Sequence, residues 1–143
     1  MSIGLDAKIA HKLYNYFEVL HTMERERFEW LVSRAVEDLP GGFLDRLHNV
    51  DVVVEERPTP SQLVEVRLRK GQTLLGLYEG VPLTNRGRGY SIVPPDKITI
   101  FQKPIETVSS SDNDIISEVQ RVVRHEIAHH FGTSDATLRQ IEK

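Results

Sequence analysis

The sequence predicts a small α+β domain, with a sheet of about three or four strands packed on helices. Apolar side chains recur at helical spacing near both ends of the chain. β-Branched runs of strand length lie between them. No internal repeat and no linker divides the chain of 143 residues, which is about the size of one compact unit.

Leu5, Ile9, Leu13, Tyr16, Phe17 and Leu20 form one apolar stripe and predict an amphipathic first helix. Thr22 reads as the N-cap of a second, whose buried face is Phe28, Leu31, Val32, Ala35 and Leu39. Pro40-Gly41-Gly42 ends it, and a short helical piece from Phe43 to Leu47 follows. Val50 to Glu56 is the clearest strand. Ser61 to Lys70 alternates like a strand but follows Pro60 as a helix would, and the helix is the preferred reading. Thr73 to Tyr78 reads as a second strand. Lys97 to Gln102 reads as a third, with Ile98 and Ile100 on one face and Thr99 and Phe101 on the other. Between these two, Glu79 to Asp96 has no periodicity and is rich in Pro and Gly, which predicts a long loop of the kind that is more often functional than idle. Ser109 to Asp114 is a polar link whose Asp112, Asn113 or Asp114 caps the long helix after it. A short C-terminal helix completes the order.

Composition excludes several classes. With 39% apolar and 27% charged residues the chain is that of an ordinary folded protein. A net charge of −3 argues against a broad nucleic-acid footprint, so no nucleic-acid partner is expected. No apolar run approaches the roughly 20 residues needed to cross a bilayer, and the N-terminus lacks the basic and apolar regions of a signal peptide. The expectation is a cytoplasmic protein without a membrane partner. There is no cysteine, so any zinc would be held by histidine and carboxylate.

The chemistry lies on the long helix from Asp114 to Phe131. At 100° per residue Ile116, Val119, Val123 and Ile127 share about 80° of arc, while His125 and His129 sit about 40° apart on the far side. Ile115 and Val122 flank the histidines; Gln120, Arg121 and Arg124 are expected to face water. Two histidines at i and i+4 project side by side, as one zinc ion requires. Glu126 is rotated off the metal axis and suits a general base acting on water rather than a ligand. Gly132 suits a left-handed helix end, beyond which Asp135 can turn back as third protein ligand, leaving a fourth position for water. His130 falls between Val119 and Val123, which predicts a hydrogen-bonded core histidine. His11, His21 and His48 are isolated and carry no functional reading.

The pattern His-Glu-x-x-His-x-x-Gly-x-x-Asp over 125–135, together with LLGLYEGVPLTNR at 74–86 and PDKITIFQKPIE at 95–106, resembles the minimal zincins. These are short bacterial zincin-like metallopeptidase domains. The resemblance runs from about Met23 to the C-terminus. It implies a zincin-like core at 23–143 in which His125, His129 and Asp135 bind one zinc ion and Glu126 is the catalytic glutamate, with a peptide or protein as substrate. It leaves 1–22 as a helical extension suited to packing or self-association. Metzincins share much of the motif but need a methionine beyond the third ligand, whereas only Met1 and Met23 occur here. The chain continues only eight residues past Asp135, so a far wall for folded protein substrates is not expected.

The leading expectation is zinc-dependent hydrolysis of a peptide bond. Tyr78, Tyr90, Arg86 and Arg88 are candidates for oxyanion stabilisation, although packing accounts equally well for the tyrosines and a solvated loop for the arginines. A metal-binding regulatory or interaction module with little turnover is the alternative. A zinc ribonuclease is disfavoured by Glu126, Asp135 and the acidic net charge.

Overall fold

The computed structural model describes residues 6–66, 68, 73–80 and 94–131. Their order is α1 (Ala7–Glu37), α2 (Gly41–Arg46), β1 (Val50–Glu55), α3 (Pro60–Val66), β2 (Gly76–Glu79), β3 (Asp96–Phe101), α4 (Gln102–Val108) and α5 (Asp112–Phe131). The three strands form one mixed sheet in the order β1-β3-β2. β1 runs parallel to β3, with Val52 opposite Ile98; β2 runs antiparallel to it, with Tyr78 opposite Ile98 on the other side. This is the α+β architecture the sequence predicts.

The core lies where α5 packs between α1 and the sheet. Phe28, Val32 and Ala35 of α1, Leu39 just beyond its end, Ile98 and Ile100 of β3, and Val119, Val123 and Ile127 of α5 form one buried cluster with Phe43 and Ile105. Each fully buried aliphatic or aromatic side chain contributes about 1.5–3 kcal/mol against solvent exposure. β3 is the central strand, and Ile98, Thr99, Ile100 and Phe101 are all inaccessible to solvent. Alternation, which marks a strand wet on one face, is therefore absent from its burial.

Four expectations are corrected. The two N-terminal helices are a single 31-residue helix capped by Asp6, whose Oδ1 accepts the Lys8 N–H at 3.1 Å. Thr22 is thus interior to α1 and not an N-cap. The apolar stripe does shift by about 75° between the two halves of the segment, which mimics a break. No Gly or Pro lies between Ala7 and Glu37, however, and the shift reflects two surroundings along one helix. The C-terminal half packs in the core, while Ile9, Leu13, Tyr16 and Phe17 are exposed.

The second correction concerns the end of β3: Gln102, expected in the strand, instead opens α4, a helix that the sequence does not predict, with no turn residue between Phe101 and Gln102. Pro104 sits in its first turn, where no intrahelical N–H is required. Third, the cap of α5 is Ser111 rather than Asp112, Asn113 or Asp114. Ser111 Oγ accepts the Asp114 N–H at 3.1 Å while Asp114 Oδ2 accepts the Ser110 N–H at 3.0 Å, a reciprocal arrangement close to a capping box. Asp112 instead pairs with Arg27 on α1 at 2.5 Å. Fourth, Gln120 does not face water; its Nε2 donates to the Ala35 carbonyl at 3.1 Å and ties α5 to α1.

The remaining described elements form where expected but with shifted ends: α3 stops at Val66 and Leu68 is not helical, and β2 begins at Gly76 rather than Thr73. α3 takes the preferred reading of the ambiguous segment: Thr59 Oγ1 accepts the Gln62 N–H, and Gln62 Oε1 in turn accepts the Thr59 N–H. Most of the predicted loop from Glu79 to Asp96, the predicted C-terminal helix, Gly132 and Asp135 lie outside the described residues. No helix among the described residues is long and apolar enough to cross a membrane.

Candidate metal and catalytic site

α5 approaches the β2 side of the sheet closely at Gly76. At Gly76 an added Cβ would overlap Val122 Cγ1 and lie 3.0 Å from the Thr99 carbonyl oxygen. The missing side chain lets the buried Val122 seat directly on β2. One turn further along α5, His125 and Glu126 are thereby brought level with the strand.

The imidazoles of His125 and His129 lie side by side, with ring centroids 4.2 Å apart and planes inclined at 44°. Both are exposed, and Glu126 between them is half-buried. All three line a cleft of about 480 Å³ whose remaining walls are mainly apolar, from Val66, Leu68, Leu75, Leu77 and Val122. Arg121, one turn before His125, stands at the same cleft and is held by Glu118 at 2.7 Å.

Glu126 is positioned by the strand. Its Oε2 accepts the Tyr78 backbone N–H at 3.1 Å. The Phe101 N–H donates to the Leu75 carbonyl at 3.0 Å, which makes Leu75 and Phe101 a hydrogen-bonded pair of the antiparallel ladder. By alternation Leu77 and Glu79 also turn their backbone groups toward β3, whereas Gly76 and Tyr78 turn theirs to the outer edge. Glu126 therefore binds an outward-facing N–H of the strand that forms the edge of the sheet among the described residues.

His130 departs from its predicted place. It is neither a core histidine nor directed at His125 and His129. Its side chain is 37% exposed, stacks on Tyr78 with centroids 4.0 Å apart, and brings Nε2 to 3.8 Å from Asp96 Oδ2. The wheel angle gives the correct side of the helix, but α5 runs past the edge of the sheet there, so its sheet-facing side meets a polar cluster instead of the core. Tyr78 Oη donates to Asp96 Oδ2 at 2.7 Å, so this candidate for oxyanion stabilisation has its hydroxyl engaged by a carboxylate, and neither residue lines the cleft. Tyr90, Arg86, Arg88 and Asp135 lie outside the described residues. Among the described residues no group of three or more potential metal-ligating side chains converges.

Residues 47–143 match the family described as zincin-like metallopeptidase. The chain belongs to that family. Membership in the zincin-like metallopeptidases implies zinc binding and a peptidase-like activity. A solved structure, a conserved hypothetical protein from T. thermophilus, is similar at 25% identity over 76% of this chain and 94% of that one, with a TM-score of 0.46. No match was found among curated proteins.

The donors present suit the zinc of a zincin-like site. Two imidazoles one helical turn apart face a common space, with no thiol in the chain to compete. Sequence reasoning missed Gly76, Tyr78 and Asp96 as residues that hold the site together. Gly76 carried a signal, being a lone glycine inside a strand pattern, which often marks close approach of another element. The part played by the Tyr78 amide carried none, since a backbone N–H has no sequence signature.

Proposed function

We propose that this chain is a zinc-dependent peptidase in which His125, His129 and Asp135 hold one zinc ion and Glu126 is the general base. The reading is supported above all by the placement of His125, His129 and Glu126 on one wall of a cleft beside an edge strand. The metal, when bound, supplies Lewis-acid activation of water and of the scissile carbonyl.

The protein's own residues do the rest. Glu126 Oε2 is occupied by the Tyr78 N–H, which leaves Oε1 to accept a proton from water and later deliver it to the leaving amine. The segment Leu75, Gly76 and Leu77, which lines the cleft, suits an extended peptide laid along it as in strand addition. The leucine and valine walls of the cleft favour a bulky apolar side chain next to the cleaved bond.

The test combines metal analysis of protein purified without added metal or chelator with peptide-library cleavage by wild type and Glu126→Gln. Wild type should carry close to one equivalent of zinc and cleave. The variant should carry the same zinc and lose about 10²–10⁴-fold in kcat. Zinc-loaded wild type that cleaves nothing the variant spares would defeat the peptidase reading and leave a metal-binding module in its place.

A further inference from the structure

Tyr78 reaches three different parts of the site. Its backbone N–H donates to Glu126 Oε2 at 3.1 Å, its ring stacks on His130 with planes only 15° apart, and its hydroxyl donates to Asp96 Oδ2 at 2.7 Å. Asp96 is buried at the start of β3, the central strand, and so gives the hydroxyl a fixed acceptor. His130 belongs to the same helix as Glu126, one turn further on. The tyrosine side chain is thus held between the sheet and α5 while its own amide grips the carboxylate that α5 presents.

The arrangement matters because β2, four residues long, is an edge strand of the sheet among the described residues. The N–H of Tyr78 points away from the ladder, so pairing with β3 does not by itself fix its direction. An edge strand twists and frays more readily than a central one. A side chain anchored at both ring and hydroxyl removes that freedom at the one residue whose amide meets Glu126.

We infer that Tyr78 is the positioning residue for Glu126, with Asp96 and His130 as the anchors that keep its amide aimed at the carboxylate. Its catalytic meaning rests on Glu126 being the proton acceptor of the proposed peptidase, but the geometry can be read without turnover. A hydrogen bond of this kind holds its amide against exchange by about five- to tenfold.

The experiment is amide hydrogen exchange on the zinc-loaded full chain, resolved by residue. In Tyr78→Phe the amide of residue 78 should exchange about five- to tenfold faster, while Leu77 and Glu79, which pair with β3, stay within about twofold of wild type. Glu126→Ala should reproduce that local loss, because it removes the acceptor. Asp96→Leu should do the same from the other side, and Asp96→Asn, which keeps an acceptor oxygen for the hydroxyl, should restore most of the protection. Unchanged exchange at residue 78 in Tyr78→Phe overturns the inference. So does equal acceleration at Leu77 and Glu79, which would show a tyrosine that merely stabilises the strand. Should Tyr78→Phe fail to fold, Asp96→Leu against Asp96→Asn decides the matter by the same comparison, with Glu126→Ala as the reference for loss of the acceptor. Failure of cleavage with the exchange pattern intact would count against the peptidase reading alone.

Discussion

Gly76→Ala is the most direct test of how α5 is brought to the sheet. The new methyl would overlap Val122 Cγ1 and press to 3.0 Å from the Thr99 carbonyl oxygen. Neither neighbour can yield easily: Val122 is 5% exposed in the core cluster, and Thr99 lies fully buried in the central strand. Overpacking of this kind costs about 1–3 kcal/mol. Removing a glycine from the unfolded chain returns about 0.4–1 kcal/mol. The net loss is about 1–2 kcal/mol, equivalent to a fall in Tm of about 3–8 °C for a chain of this size. Relief has to come from a separation of α5 and β2, which also stretches the bond from Tyr78 to Glu126, so peptidase activity should fall more steeply than stability. Thermal and urea melts of Gly76→Ala, Val122→Ala and the double variant measure the effect. The double variant should be at least about 1 kcal/mol more stable than the sum of the two single losses, because Val122→Ala removes the clashing methyl. A Tm for Gly76→Ala within about 1 °C of wild type, or purely additive behaviour, would show that α5 does not rest on β2 through this residue.

Other outcomes follow from the same geometry. Asp135→Ala should lower zinc affinity by at least about tenfold by competition with a chromophoric chelator, and an unchanged affinity would remove Asp135 from the ligand set. A chain beginning at Met23 should keep its melting temperature within about 3 °C, because Ile9, Leu13, Tyr16 and Phe17 lie outside the core; light scattering before and after truncation shows whether residues 1–22 act in self-association. Leu68→Glu should place a charge in the cleft and cut kcat/KM for peptides with a leucine or phenylalanine beside the scissile bond by about 10–200-fold, the range of one apolar pocket contact. Identical rates in that comparison would move the substrate side chain elsewhere.

Local features are the ones that sequence conveys well. His125, His129 and Glu126 belong to one helix, and the helix fixes their mutual angles whatever else the chain does. For the same reason the strands Val50–Glu55 and Asp96–Phe101 and the stop at Pro40-Gly41-Gly42 were legible as patterns of a few residues. Continuity was harder: a rotated apolar stripe looks the same whether a helix breaks or one end leaves the core, and only packing separates the two in α1. His130 shows a similar limit, since a wheel angle gives direction but not what stands there. The sequence by itself thus determined the kind of chemistry and the α+β class, because both depend on residue type and short-range spacing. Tertiary structure decided that Gly76 admits Val122, that the Tyr78 amide meets Glu126, and that Asp96 anchors Tyr78. Those contacts join residues 18 to 48 positions apart, and distances of that length are set by how strands and helices pack, not by any motif.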